Sequence, residues 1–213
     1  MSQNVVAIDG PSGTGKTTVS RLVASRLALP HLDTGAFYRA ATYAALEAGI
    51  DLEDGPAIAA LLGRIRLEQE ENHTLVDGLD VSEAIRSPQV TSNVSVVSAH
   101  PDVRASLVQM QRDWVERHDG RAVVEGRDIG SVVFPDAEVK VYLDASPAVR
   151  ARRRAHQDGA DPGEVLEAIR RRDHIDSTRT TSPLTVADDA RVIDTSDLNL
   201  AEVVDLIVEL VTD

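Results

Sequence analysis

Eight consecutive residues, Gly10-Pro11-Ser12-Gly13-Thr14-Gly15-Lys16-Thr17, match the spacing G-x-x-x-x-G-K-[ST]. Each residue type has a chemical reason for its place. Glycines let the backbone wrap so that successive N–H groups point inward at a phosphate. A helix starting at the end of such a loop adds about half a positive charge there. Lys16 can reach the β- and γ-phosphate oxygens of a nucleoside triphosphate, and Thr17 can offer its hydroxyl to Mg2+. Thr18, next in line, belongs to the same phosphate-binding turn. A short β-branched run, "NVVAID", precedes the loop, and "TVSRLVASRLAL", with apolar residues at helical spacing, follows it. That strand–loop–helix setting separates a phosphate cradle from a chance glycine-rich turn. The loop leaves the fate of the nucleotide open, because GTPases, motor ATPases and small-molecule kinases share it.

A second cluster is cationic. The stretch "IRRRDHIDSTR", residues 169–179, carries four arginines in a chain whose formal net charge is -13. Of the 22 basic residues only Lys16 and Lys140 are lysines. Genomic base composition explains such a bias without function, so position has to decide. On a helix Arg172, Asp176 and Arg179 fall at i, i+4 and i+7 and share a face, and Arg150, Arg153 and Arg154 do the same one helix earlier. An Arg–Asp pair at that spacing can be simple helix support, worth a few tenths of a kcal/mol, roughly. Two such faces flanking the bend "QDGADPG" read instead as a mobile lid that closes over polyphosphate and stabilises a transferring phosphoryl group. Two phosphorylated ligands are then expected rather than one.

Two more charged groups fall where ligands of open parallel sheets bind, at the carboxyl ends of strands. "LDTGAFYR" sets Asp33, Thr34 and Arg39 around a helix start, and "VVEGRDIG" sets Glu125, Arg127 and Asp128 after an apolar strand. The plainer alternatives are that Asp33 or Thr34 only caps a helix, and that Arg127 and Asp128 form a surface pair.

The elements that must position these residues alternate. Strands are expected at "NVVAID", "HLDTG", "RAVVEGRD", "AEVKVYLDAS" and "DARVIDTS". The first helix is expected to close at Pro30, the second ("AFYRAATYAALEA") at Gly49, and a last amphipathic helix spans "LAEVVDLIVELVTD". Helices also fit 88–99, 101–117, 148–157 and the segment opened by "DPGEVLEAI". Between about 64 and 86 the alternation breaks into short β segments around Asn72 and the Asp77-Gly78 turn, an antiparallel meander inserted into an α/β chain. The expected fold is a three-layer α/β P-loop NTPase fold: a parallel, doubly wound central sheet flanked by helices, with a small antiparallel insertion and a helical lid.

Composition excludes several classes. At 213 residues the chain can build one sizeable core, and it has no cysteine for a disulfide or a thiolate metal site. No H-x-x-x-H, H-E-x-x-H or G-x-S-x-G spacing points to a metal or nucleophilic hydrolase. Net negative charge and 3% aromatic content argue against nucleic acid as a partner. "MSQNVVAIDG" lacks the pattern of a signal peptide, and no apolar run approaches the roughly 20 residues of a membrane span. A cytoplasmic protein with no membrane partner is expected.

Taken together, "AIDGPSGTGKTTVSRLVA", "LDTGAFYRA", "EGRDIGSVVFPDAEVKVYLDAS" and "RRRDHIDSTR…SPL" resemble the bacterial cytidylate (CMP) kinase family over essentially the whole chain, in order. The stretch "DIGSVVFPDA" after "GR" is a more specific mark than the phosphate loop. The resemblance implies transfer of the γ-phosphoryl of ATP, with Mg2+, to CMP and dCMP. It implies that Arg39, Arg127 and Arg179 hold the acceptor phosphate, with Lys16, Arg127 and Arg179 central to catalysis. Ser95 and Arg104, with Asp128 nearby, would read the base, and Arg172 and Asp176 the sugar. Arg150, Arg153 and Arg154 would approach the ATP phosphates, and Arg86 would position the inserted piece. One kinase domain, acting as a monomer, is implied: a core (1–62, 118–148, 180–213), a CMP-binding insertion near 63–104 and a lid near 149–170. Thr34 stands where many members have serine, and Glu125 where some have aspartate.

Two rivals bear on the acceptor. Shikimate or gluconate kinases share the loop and the size, but their hydroxyl acceptor needs fewer arginines. A nucleotide sensor without phosphotransfer would have little use for Arg39, Arg127, Arg172 and Arg179 together.

Overall fold

The computed structural model describes residues 4–70, 73–178 and 181–212. They form two units, one built from the chain up to His31 and from His118 onward, the other from Leu32–Arg117.

In the first unit β1 (Asn4–Asp9) is buried beyond its first residue, as its unbroken apolar run requires in a sheet covered on both faces. It pairs in parallel with β6 (Arg121–Glu125), Ile8 opposite Glu125, and with β7 (Val139–Asp144) on its other side. β7 pairs in parallel with β8 (Arg191–Asp194). With β2 (His31–Asp33), the sheet order is β2-β6-β1-β7-β8. The central strands therefore come from distant parts of the chain and point their carboxyl ends the same way. Helices α1 (Lys16–Leu27) and α8 (Leu200–Thr212) pack on the sheet through Val19, Val23, Val203, Val204 and Ile207 against Val6, Ile8, Val123 and Leu143. Two further helices, α6 (Pro147–Asp158) and α7 (Pro162–Thr178), pack on each other. This is the parallel sheet flanked by helices that the alternating pattern predicts.

The second unit is helical around a small sheet. It contains α2 (Thr34–Glu47), α3 (Gly55–Leu62), α4 (Pro88–Val97) and α5 (Pro101–Arg117). The expected meander is a three-stranded antiparallel sheet in the order β3-β4-β5, formed by Leu67–Glu70, His73–Val76 and Leu79–Asp80. Asp77 (φ 51°) and Gly78 (φ 80°) make the two-residue hairpin that Asp-Gly favours. The other connection, with Asn72, lies outside the described residues. Trp114 of α5 donates its indole N–H to the Gln69 carbonyl at 3.0 Å, tying helix to sheet.

Three details differ from, or decide, the sequence reading. α3 is an extra helix, capped by Asp54, whose Oδ1 accepts from Ala57 N at 3.0 Å; two turns are too short for a clear apolar period. α1 stops before Pro30, because Ala28 turns left-handed (φ 51°) and Leu29 donates back to the Ala24 carbonyl at 2.9 Å. Between the two candidate caps of α2, Asp33 is the one, accepting from Ala36 N at 3.0 Å.

Candidate active site

The phosphate loop leaves the carboxyl end of β1 and re-enters the backbone ladder as α1. A Cβ on Gly10 would lie 2.1 Å from the Leu143 carbonyl, so only glycine lets the loop pass β7 this closely. Gly15 takes φ 90° to start α1, leaving the first N–H groups of the helix facing the loop. Thr14 Oγ1 donates to the Pro11 carbonyl at 3.2 Å, and Lys16 Nζ donates to the same oxygen at 2.7 Å. Lys16 is thus folded back over the loop and almost fully buried. Burial first, and then the nearby positive charges of Arg127 and Arg172, hold its amine well below the usual lysine range; Glu125 and Asp9 oppose that shift. Thr18 lies exposed on the first turn of α1.

Thr17 Oγ1 donates to Glu125 Oε2 at 3.1 Å, while Glu125 Oε1 lies 3.2 Å from His31 Nε2, itself 3.0 Å from Ser20 Oγ. A hydroxyl beside a buried carboxylate is a hard oxygen donor set, which suits Mg2+. No group of three or more His, Asp or Glu side chains able to hold a metal occurs among the described residues. Mg2+ in phosphoryl-transfer sites takes few protein ligands and completes its shell with phosphate oxygens and water, so Thr17 and its carboxylate neighbour fit it.

Beyond β6 the chain turns into Arg127 and Asp128. Arg127 donates from Nη1 to the Gly10 carbonyl and from Nε to Asp176 Oδ2 of α7, each at 3.0 Å. Asp128 is buried. The surface-pair alternative for these two residues is thereby set aside, because Asp128 is inside and Arg127 reaches across to the loop and to α7. The backbone then makes one wide helical turn, Ile129–Val133, that the sequence reading did not anticipate. Asp9, at the end of β1, accepts from Ile129 N and Gly130 N at 2.8 Å each. Burial, against those two bonds, pushes its carboxyl up to about 6.

On α7, Asp176 is buried and Arg172 half-buried. Arg179, the third member of the expected face, lies outside the described residues. The three arginines of α6 fall on one stripe of the helix, as expected, but meet different surroundings. Arg150 is buried, donating to the Ser12 carbonyl of the loop at 2.9 Å and pairing with Asp173 of α7 at 2.7 Å. Arg153 donates to Thr195 Oγ1 at 3.0 Å and to the Thr195 carbonyl at 2.6 Å. Arg154 is exposed. The difference is one of reach: residues three and four apart share a helix stripe, but α7, the loop and the end of β8 offer separate acceptors to long side chains.

In the second unit Asp33, besides capping α2, takes Arg39 Nη2 on Oδ2 at 2.9 Å and gives its own N–H to Gln69 Oε1 at 3.1 Å. Thr34 is buried beside it. Arg104, also buried, holds its guanidinium 5.4 Å from the Tyr38 ring centroid and donates to the Ser98 carbonyl at 3.4 Å. Ser95 is half-buried, and its carbonyl accepts from Ser98 Oγ at 3.1 Å. Arg86 ends a short helical turn, Ala84–Arg86, and is exposed. Sequence reasoning missed Asp9 and His31. An acid directly before the loop glycine was the available signal for the first; the second had none.

A phosphate loop after the central strand of a parallel sheet, with Lys16 buried on it and Arg127 bonded to it, marks a P-loop nucleotide-binding protein. Within that class, the sequence model of the cytidylate kinase family matches residues 6–213, and the chain belongs to that family. A cytidylate kinase of Mycobacterium leprae is 50% identical over 216 residues, covering 99% of this chain and 96% of the relative. One from Corynebacterium efficiens is 51% identical, covering 97% and 93%. Among solved structures, an uncharacterized protein from Eubacterium ventriosum superposes with a TM-score of 0.56 at 12% identity, covering 99% of this chain and 98% of that one, a likeness of fold.

Proposed function

We propose that this protein transfers the γ-phosphoryl of ATP to CMP and dCMP, giving CDP and dCDP. The observation that carries the reading is the phosphate loop with Lys16 buried on it, 2.7 Å from the Pro11 carbonyl, and Arg127 bonded to its Gly10 carbonyl at 3.0 Å. A transferring phosphoryl group flanked by phosphates is a polyanion that cations gathered at one loop can neutralise. Family membership supplies the acceptor.

In this reading Gly10–Thr18 bind the ATP phosphates, with Arg150, Arg153 and Arg154 as lid residues. Arg39, Arg127 and Arg179 hold the CMP phosphate. Ser95, Arg104 and Asp128 read the base, Asp33 and Thr34 support the acceptor side, and Arg172 and Asp176 hold the sugar. No strong general base is needed, since the attacking oxygen is already anionic; positioning and charge neutralisation do the chemistry. Thr17 would hold Mg2+, which when bound would supply further neutralisation of the phosphate charge. The domain reading is one kinase domain with a CMP-binding insertion near 63–104 and a lid near 149–170. The protein is proposed to act as a cytoplasmic monomer without nucleic acid; no described helix is long and apolar enough to cross a membrane.

Coupled ADP release with ATP and Mg2+, offering CMP, dCMP, UMP, AMP and shikimate separately, tests the reading. Release with CMP and dCMP far above the rest supports it. Release with UMP or shikimate instead overturns the acceptor and leaves the loop chemistry intact.

A further inference from the structure

Asp9 has no place in the reading above, yet it is well connected. It is the last residue of β1, immediately before Gly10, and is 5% exposed. Its two oxygens accept from two consecutive backbone N–H groups, Ile129 and Gly130, at 2.8 Å each. Those amides open the wide turn that follows Arg127 and Asp128, where N–H groups have no partner within the turn itself. The parallel register of β1 and β6 runs to Ile8 opposite Glu125, and Gly126 N still donates to the Ile8 carbonyl at 3.0 Å. Past that point the strand ladder no longer aligns the two segments. The Asp9 side chain takes over there, and Arg127 adds its bond to the Gly10 carbonyl at 3.0 Å. Residues 127–130 are thus clipped to residues 9–10 by three bonds.

We propose that Asp9 is a positioning residue for phosphoryl transfer: its carboxylate sets Arg127 and Asp128 in register with the phosphate loop. The proposal rests on the kinase reading. A carboxylate is the right group, because it offers two acceptors and no donor to a pair of N–H groups. Asparagine of the same size would turn an NH2 donor toward one of them. The effect passes through Arg127, so Asp9 itself need touch no substrate.

A double-mutant cycle on turnover tests this, with Asp9→Asn, Arg127→Lys and the double variant. Asp9→Asn is expected to lower kcat on the order of 10- to 100-fold, the scale of a sub-ångström to 1 Å misplacement. The dissociation constant of a fluorescent ATP analogue should change less than about threefold in the same variant, since the loop itself is kept. In the double variant the second substitution should cost far less than it does alone, because both act on one group. A kcat within about twofold of the parent, or a double variant that loses the full product of the two single factors, overturns the proposal. If Asp9→Asn does not fold, Asp9→Glu, which keeps the charge and lengthens the reach, carries the same cycle.

Amide hydrogen exchange at Ile129 and Gly130, measured without substrate, is the second readout. Faster exchange at both in Asp9→Asn supports the clip, and unchanged protection overturns it. A parent protein that released no ADP with any acceptor would defeat the kinase reading, and the exchange result would still decide the clip.

Discussion

Two buried ionisable groups beside the phosphate loop carry opposite consequences for pH and for stability. Lys16 is desolvated next to arginines, so its amine titrates below its unfolded value. Such a group destabilises the folded chain wherever the unfolded lysine is protonated, and Lys16→Ala should leave the unfolding midpoint at pH 7 unchanged or raised. Turnover should fall in the same variant by about 100-fold or more, the usual scale for losing a phosphate-stabilising charge; normal turnover would remove Lys16 from the mechanism. Asp9 shifts the other way, from 3.8 to about 6. A raised carboxyl binds its proton in the folded state first, so its contribution is fully present below the unfolded value and is lost as pH rises through the folded one. Stability of the parent relative to Asp9→Asn should therefore decline between about pH 4 and pH 7, by about 3 kcal/mol. Urea unfolding of both proteins across that window measures it, and a flat difference would mean that burial does not hold the proton on Asp9.

At the scale of elements, α6 is a helix with two of its arginines, Arg150 and Arg153, already engaged. Arg150 ties it to the Ser12 carbonyl, to the Ala145 carbonyl at 2.9 Å and to Asp173 of α7. The helix therefore acts as a brace under the loop, and Arg150→Ala should raise the KM for ATP about tenfold or more while the KM for CMP moves little. Steady-state kinetics with each substrate varied in turn checks this; a rise confined to CMP would place Arg150 on the acceptor side. Arg153 is bonded twice to Thr195, just past the end of β8.

For the whole molecule, the residues proposed for the acceptor come from both units of the chain: Arg127, Arg172 and Asp176 from the first, Arg39, Ser95 and Arg104 from the second. Arg104→Met should raise the KM for CMP about tenfold or more, with binding of a fluorescent ATP analogue unchanged and the fold retained. Equal loss of both substrates would mean that Arg104, packed over Tyr38, mainly holds the second unit together.

The loop, the alternation of strands and helices, and the inserted meander were all legible in the sequence. Each is a local pattern: a spacing of glycines, a period of two or 3.6, an Asp-Gly turn. Local rules also placed Asp33, Glu125 and Arg127 at strand ends and Arg39 on the helix that follows one. They failed at α3, whose two turns carry too few residues for a period, and at the wide turn after Asp128, which is held open by an acid more than a hundred residues earlier. They could name the arginines of α6 but not their partners. Which acceptor a long, flexible side chain meets depends on the strands and loops that packing brings beside it. For the same reason only the tertiary structure joined Arg127 to Asp176, set His31 against Glu125, and bonded Asp9, the last residue of its strand, to the amides of Ile129 and Gly130.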